Sequence, residues 1–149
     1  MNGRRRGFST IELLMAVVIV GVLSVIAMPK ASALFNAASL QSATQTVATT
    51  LAQARAAAIQ NGRPSRFVRS GSTVFAVVEL PGGVDTVTTP NDLFAHHGVA
   101  LSGPLVIQFN ARGFAEGSTR NERIVVSNSA KSQSVCVKGL SKIAIQDCT

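Results

Sequence analysis

Among the residues able to do chemistry in this chain, Glu12 occupies the least hospitable position. It lies in the stretch RRRGFSTIELLMAVVIVG, at the start of an otherwise apolar run. An unpaired charge inside an apolar helix costs about 2.5–3.5 kcal/mol on membrane-insertion scales. The carboxylate therefore calls for a partner. The other reactive types are few. His96 and His97 are the only histidines, and adjacent residues on a strand point to opposite faces, so the pair does not make a joint metal site. They read as surface loop residues. The sequence shows no phosphate-binding loop, no serine nucleophile elbow and no closely spaced acidic pair in its later part. It reads as a protein that is not an enzyme and has neither a metal site nor a cofactor.

The elements around Glu12 follow from composition. With 149 residues the chain supports one modest core. The hydrophobic fraction of 46% is concentrated in the first thirty residues, which leaves the remainder rather polar. Trp and Tyr are absent, so no aromatic-rich ligand pocket is expected. Arg4, Arg5 and Arg6 supply three of the net +7 charges; without them the charge is too mild to demand a nucleic-acid partner.

From Phe8 to Met28 the run covers 21 residues, roughly 31 Å of helix, which is enough to cross a bilayer core. Three arginines before it and Lys30 after it favour a cytoplasmic N-terminus and an exported remainder. An ordinary secretory signal ending at Ala31-Ser32-Ala33 is one reading, and an uncleaved single-span anchor is another. Neither gives Glu12 a partner.

Beyond Pro29 a helical pattern continues, with Leu40, Val47, Leu51, Ala54 and Ala58 on one face. Asn61-Gly62 offers a left-handed cap and Pro64 forbids continuation, so the helix is expected to stop near residue 61. Counted from Phe8, such a stem is about 80 Å long. Strand patterns follow. SRFVRS and TVFAVVEL flank Gly71 as a hairpin, and PLVIQF, RIVVSN, SVCVK and KIAIQ come after it. About six antiparallel strands packed on the helix are expected, with residues 81–103 a long variable loop. The fold class is α+β: a long N-terminal helical stem on an antiparallel β head.

Cys136 and Cys148 are the only cysteines. In an exported domain an even pair favours a disulfide, with two free thiols as the alternative. A tight hairpin centred on Leu140 sets Cys136 opposite Ala144 rather than Cys148, so a bridge requires a looser terminal loop. Arg63, Arg66 and Arg69 recur every third residue, and Arg120 and Arg123 alternate with Glu116 and Glu122. Both groups read as solvated mixed surface.

The segment RRRG/FSTIELL resembles the class III leader of type IV pilins and type II secretion pseudopilins. By that resemblance a prepilin peptidase cuts between Gly7 and Phe8 and methylates the new amine of Phe8. Glu12 then neutralises the amine of a neighbouring subunit in a filament. Pro29 falls where pilin stems carry a kinking proline. The order of one long helix followed by strands is similar to the GspH/FimT family of minor pilins and pseudopilins, as is VIQFNARGFAEG, with Phe109 and Gly113 at the matching positions. The resemblance implies four segments: a leader at 1–7, a transmembrane and filament-core helix at 8–29, an amphipathic head helix at 30–62, and a β domain at 63–149 with a C-terminal disulfide loop. It further implies other pilins, an inner-membrane assembly platform and the lipid bilayer as partners, and an inner-membrane protein with a periplasmic head. Some FimT-type pilins bind DNA through a C-terminal Gly-Arg-x-Arg motif. Here the matching segment is Gly139-Leu140-Ser141-Lys142, with Leu and Lys in place of the two arginines. Lys138, Lys142, Arg63, Arg66 and Arg69 are the candidate DNA contacts.

Overall fold

The computed structural model describes residues 9–116, 122–138 and 142–146, with only the helical backbone described over 26–30. Two compact units result, Met1–Phe35 and Asn36–Thr149. The helix α1 (Thr10–Asn61) begins in the first and ends in the second.

In the first unit the described side chains of α1 are exposed, among them Ile11, Leu13, Leu14, Met15, Val17 and Val18. Ser24 donates its hydroxyl hydrogen to the Val20 carbonyl (2.7 Å), so this polar group is satisfied within the helix. Among the described residues no helix is long and apolar enough to cross a membrane. The span expected from the sequence, 8–28, takes in Phe8 and the side chains of 26–28, which lie outside the described residues.

In the second unit α1 stops where the sequence says it should. Gly62 takes φ +60°, the Arg63 amide donates to the Ala58 carbonyl (3.2 Å) and the Gly62 amide to that of Ile59 (3.3 Å). This is the Schellman pattern, closed by Pro64. The face predicted to pack does so: Leu40, Val47, Leu51, Ala54 and Ala58 are buried in the core, joined by Ala43.

The strands form two antiparallel sheets. In the first, β1 (Ser65–Ser70) lies between β2 (Thr73–Leu80) and β6 (Val106–Phe109), while β2 also pairs β3 (Gly83–Thr86) and β4 (Asn91–Asp92). In the second the order is β5 (Ala100–Ser102), β7 (Glu122–Ser127), β8 (Ser132–Val137) and β9 (Ile143–Ile145). Alternation places Phe67, Val74, Ala76, Ile107 and Phe109 of the first sheet, and Ile124, Val126, Val135 and Val137 of the second, in one core with the helix. The β1–β2 hairpin is as expected: Ser70 faces Thr73 across Gly71-Ser72, and Gly71 has φ +60° at the first central position.

The loop expected over 81–103 is a correction. It contains β3, β4, the short helix α2 (Leu93–His97) and β5, with Leu93 and Val99 fully buried. Edge strands of two to four residues, with β3 exposed at every position, carry no alternation for a sequence pattern to reveal. The return from β5 to β6 is tight. Gly103 has φ +124°, and a Cβ there would lie 2.5 Å from the Arg123 carbonyl oxygen. Gly103→Ala is expected to lower stability by about 2–4 kcal/mol, read as a fall in thermal midpoint by circular dichroism. Gly82→Ala, with open space around the position, is expected to leave the midpoint nearly unchanged.

Candidate functional site

Glu12 lies in the first turn of α1. The Glu12 and Leu13 amides donate to the Ser9 carbonyl (3.1 and 3.2 Å), which fixes the helix start. Its side chain is exposed and makes no hydrogen bond or ion pair with the described residues. A carboxylate thus stands on a helix whose described neighbours Ile11, Leu13, Leu14 and Met15 are also uncovered. Such an extended apolar surface marks a place for lipid or protein. Gly7, Phe8 and Cys148 lie outside the described residues, as do Gly139, Leu140 and Ser141, and of Pro29 only the helical backbone is described.

The arginines proposed from sequence as DNA contacts have different environments. Arg66 is ion-paired across β1 and β2 with Glu79. Arg69 works inside the fold: its guanidinium donates to the carbonyls of Gly103 (2.7 Å), Gly71 (3.1 Å), Pro104 (3.3 Å) and Leu101 (3.4 Å). Arg69 therefore clamps the chain where it passes from the second sheet to the first. The planar fork of donors suits arginine to this and not lysine. Arg63 is exposed, just after the helix cap. The Lys138 amide donates to the Lys142 carbonyl (2.9 Å), closing the ladder between β8 and β9.

Cys136 is buried on β8, opposite Ala144 of β9, which is the register that the hairpin argument requires. It is disulfide-bonded. His96 and His97 lie on α2 and not on a loop or strand, with ring centroids 6.5 Å apart. The reason is a complete pair of caps around five residues. The Asp92 carboxylate accepts from the Phe94 and Ala95 amides (3.0 and 3.3 Å), and Gly98, at φ 63°, donates its amide to Phe94. Aspartate before and glycine after the segment LFAHH was the sequence cue to this helix. Among the described residues no cluster of His, Cys, Asp or Glu is arranged to hold a metal.

The Gly113 turn carries the clearest motif of the head. Phe109 is fully buried at the end of β6. Asn110 then accepts through Oδ1 from the Arg112 and Phe114 amides (both 3.0 Å). Gly113, at φ +78°, closes against the helix, where a Cβ would meet the Ile59 side chain at 2.7 Å.

The model of the family described as Type II transport protein GspH matches residues 43–141, which takes in most of this helix face and strands β1 to β8. The chain belongs to the GspH family. Two crystal forms of the Pseudomonas aeruginosa type IV minor pilin FimU share the fold of this GspH-family chain, with TM-scores of 0.61 and 0.59 at 17% identity. Each match covers 73% of this chain, and 89% and 94% respectively of FimU. No curated protein matches it in sequence.

The Ser72 hydroxyl, donating to the Asp92 carboxylate at 2.7 Å, is the largest influence holding that carboxyl below its ordinary range, followed by the Ala95 amide. The folded chain binds this proton less readily than the unfolded chain does. Its contribution is therefore present above the ordinary carboxylate range and is lost as pH falls through the depressed value. Asp92→Asn keeps an acceptor without the charge and is expected to flatten this part of the acid dependence. Thermal midpoints compared between neutral pH and about pH 3 measure it.

Proposed function

We propose that this protein is a minor pilin or pseudopilin, a structural subunit that acts by assembly in a type IV pilus or a type II secretion pseudopilus. The observation that carries the reading is an uncovered apolar helix bearing one unpartnered carboxylate in its first turn, in the same chain as a GspH-family head. The leader 1–7 is removed between Gly7 and Phe8 by a prepilin peptidase, and the amine of Phe8 is methylated. Residues 8–29 hold the subunit in the inner membrane with its head in the periplasm. They later enter the filament among other pilins on an assembly platform.

Glu12 is the register element of this proposal. An isolated buried charge is strongly penalised, whereas a matched, hydrogen-bonded pair recovers much of that loss. The Phe8 amine of a neighbouring subunit is the matching group, and it exists only after cleavage. In the oxidising periplasm Cys136 is paired with Cys148, and closing a loop of about 13 residues stabilises the head by roughly 3 kcal/mol in the chain-entropy model.

Intact mass of the membrane-extracted protein tests the processing. Loss of residues 1–7 with gain of one methyl group is expected; a product beginning at Leu34 identifies an ordinary signal peptide and overturns the proposal. Glu12→Ala is expected to insert normally but to assemble poorly, as seen by co-purification of two differently tagged copies from membranes. Assembly at the unaltered level contradicts the register role.

A further inference from the structure

Within the second unit, the Gly71 turn and the β7–β8 turn are both fastened at the end where α1 enters. Asn128 of the β7–β8 turn donates its side-chain amide to the Asn36 carbonyl (2.9 Å). The short helix α2 joins the two turns. Its cap Asp92 accepts from Ser72, next to Gly71, and the chain that leaves it reaches Ala100, which pairs Ser127 beside Asn128.

This end carries apolar side chains that the fold does not cover. Phe94 is 64% exposed on α2, although the caps fix that helix and its neighbour Leu93 is fully buried. Leu105, 60% exposed, stands at the Gly71 end of the first sheet, where its carbonyl accepts from the Arg69 amide (2.7 Å). His96 and His97 complete α2, with rings that have an apolar body and a polar tip.

The charges of the same end are cationic. Lys131 is exposed, its carbonyl accepting from the Asn128 amide (2.9 Å). Arg69 is bonded to four carbonyls, which leaves its charge in place. Asp92 is the one carboxylate here among the described residues, and it is turned inward onto Ser72 and the first amides of α2. Glu79 and Asp85 lie at the Ser65 end of the first sheet, with Glu116 bonded to Gln108 there. Glu122 begins β7, away from Asn128.

Exposed apolar groups flanked by cations, with no outward carboxylate, suit the boundary of a bilayer that contains anionic lipid. Rings and aliphatic groups enter the headgroup layer there, and the cations meet phosphate. Connectivity supplies the membrane on this side. Residues 29–35 separate Met28, the end of the apolar run, from Asn36, a rise of about 12 Å along a helix. A head tethered so closely needs only a weak contact, because the tether keeps its effective concentration high.

We propose that this end of the head, through Phe94, Leu105 and Lys131, rests on the anionic phospholipid surface of the membrane that holds residues 8–29. The contact rests on the reading of those residues as an anchor. It sets the orientation of the head in the unassembled subunit, and it is broken when the subunit leaves the bilayer.

The test uses the full-length chain in phosphatidylethanolamine vesicles with about a quarter phosphatidylglycerol and a lipid whose headgroup carries a spin-label quencher. A fluorophore is attached at Ala95→Cys, or at Val84→Cys on β3 toward the Ser65 end of the sheet, Cys136 being disulfide-bonded. Quenching at position 95 is expected to be at least about threefold stronger than at position 84. Adding Phe94→Ser or Lys131→Glu, both at exposed positions, is expected to keep the thermal midpoint and lower quenching at 95 about twofold. Equal quenching at the two sites, or quenching at 95 that neither substitution lowers, overturns the contact; the anchor reading stands if the protein floats with the vesicles. Protein that does not float with them overturns both.

Discussion

The packing of both sheets on one face of α1 governs the head. Ala43, Ala54 and Ala58 alternate with Leu40, Val47 and Leu51 on the buried face, so small and large side chains share the core with the strands. At Ala54 the fully buried Ser65 at the start of β1 donates to the helix carbonyl. The first sheet is thus bonded to the helix at its edge of entry. The β7–β8 turn is tied at the other end, where the Asn128 side chain donates to the Asn36 carbonyl (2.9 Å). Both sheets are referred to one helix, and the core residues of each follow from that.

Polar side chains then fix what apolar packing leaves loose. Between β3 and β6 the chain runs through short edge strands and a five-residue helix, which have little surface of their own to bury. Leu93 and Val99 anchor it in the core, Asp92 caps it, and Arg69 gathers the carbonyls at its exit. Arg69 donates to four backbone carbonyls, which is a structural use of a guanidinium that needs no anion.

Legibility followed the range of the interactions. The helix end at Asn61, its buried face, the Gly71 hairpin and the placing of Cys136 opposite Ala144 depend on local chemistry or on side-chain period, and each was readable. The split into two sheets was not, because β1 pairs β6 and β5 pairs β7 across long loops, and pairing partners leave no mark in a strand's own pattern. Arg69 was read as solvated for the same reason: backbone carbonyls carry no residue identity. His96 and His97 were assigned to a loop although Asp92 and Gly98 already bounded a helix. At the candidate assembly site the residue types were all visible, whereas the exposure of Ile11, Leu13, Leu14 and Met15 beside Glu12 is a property of the folded chain alone.

Gly113 and Ile59 have a consequence for how such a head can vary. The turn after β6 lies against the helix at Gly113, whose left-handed backbone already excludes most residues. Asparagine tolerates that backbone, and the atoms it would meet belong to the half-exposed Ile59 side chain, which has solvent to turn into. Enlarging position 113 therefore costs Ile59 its seat rather than the turn its shape. Two residues from distant parts of the chain are coupled through that one contact, and the harm done by a substitution at one depends on what occupies the other.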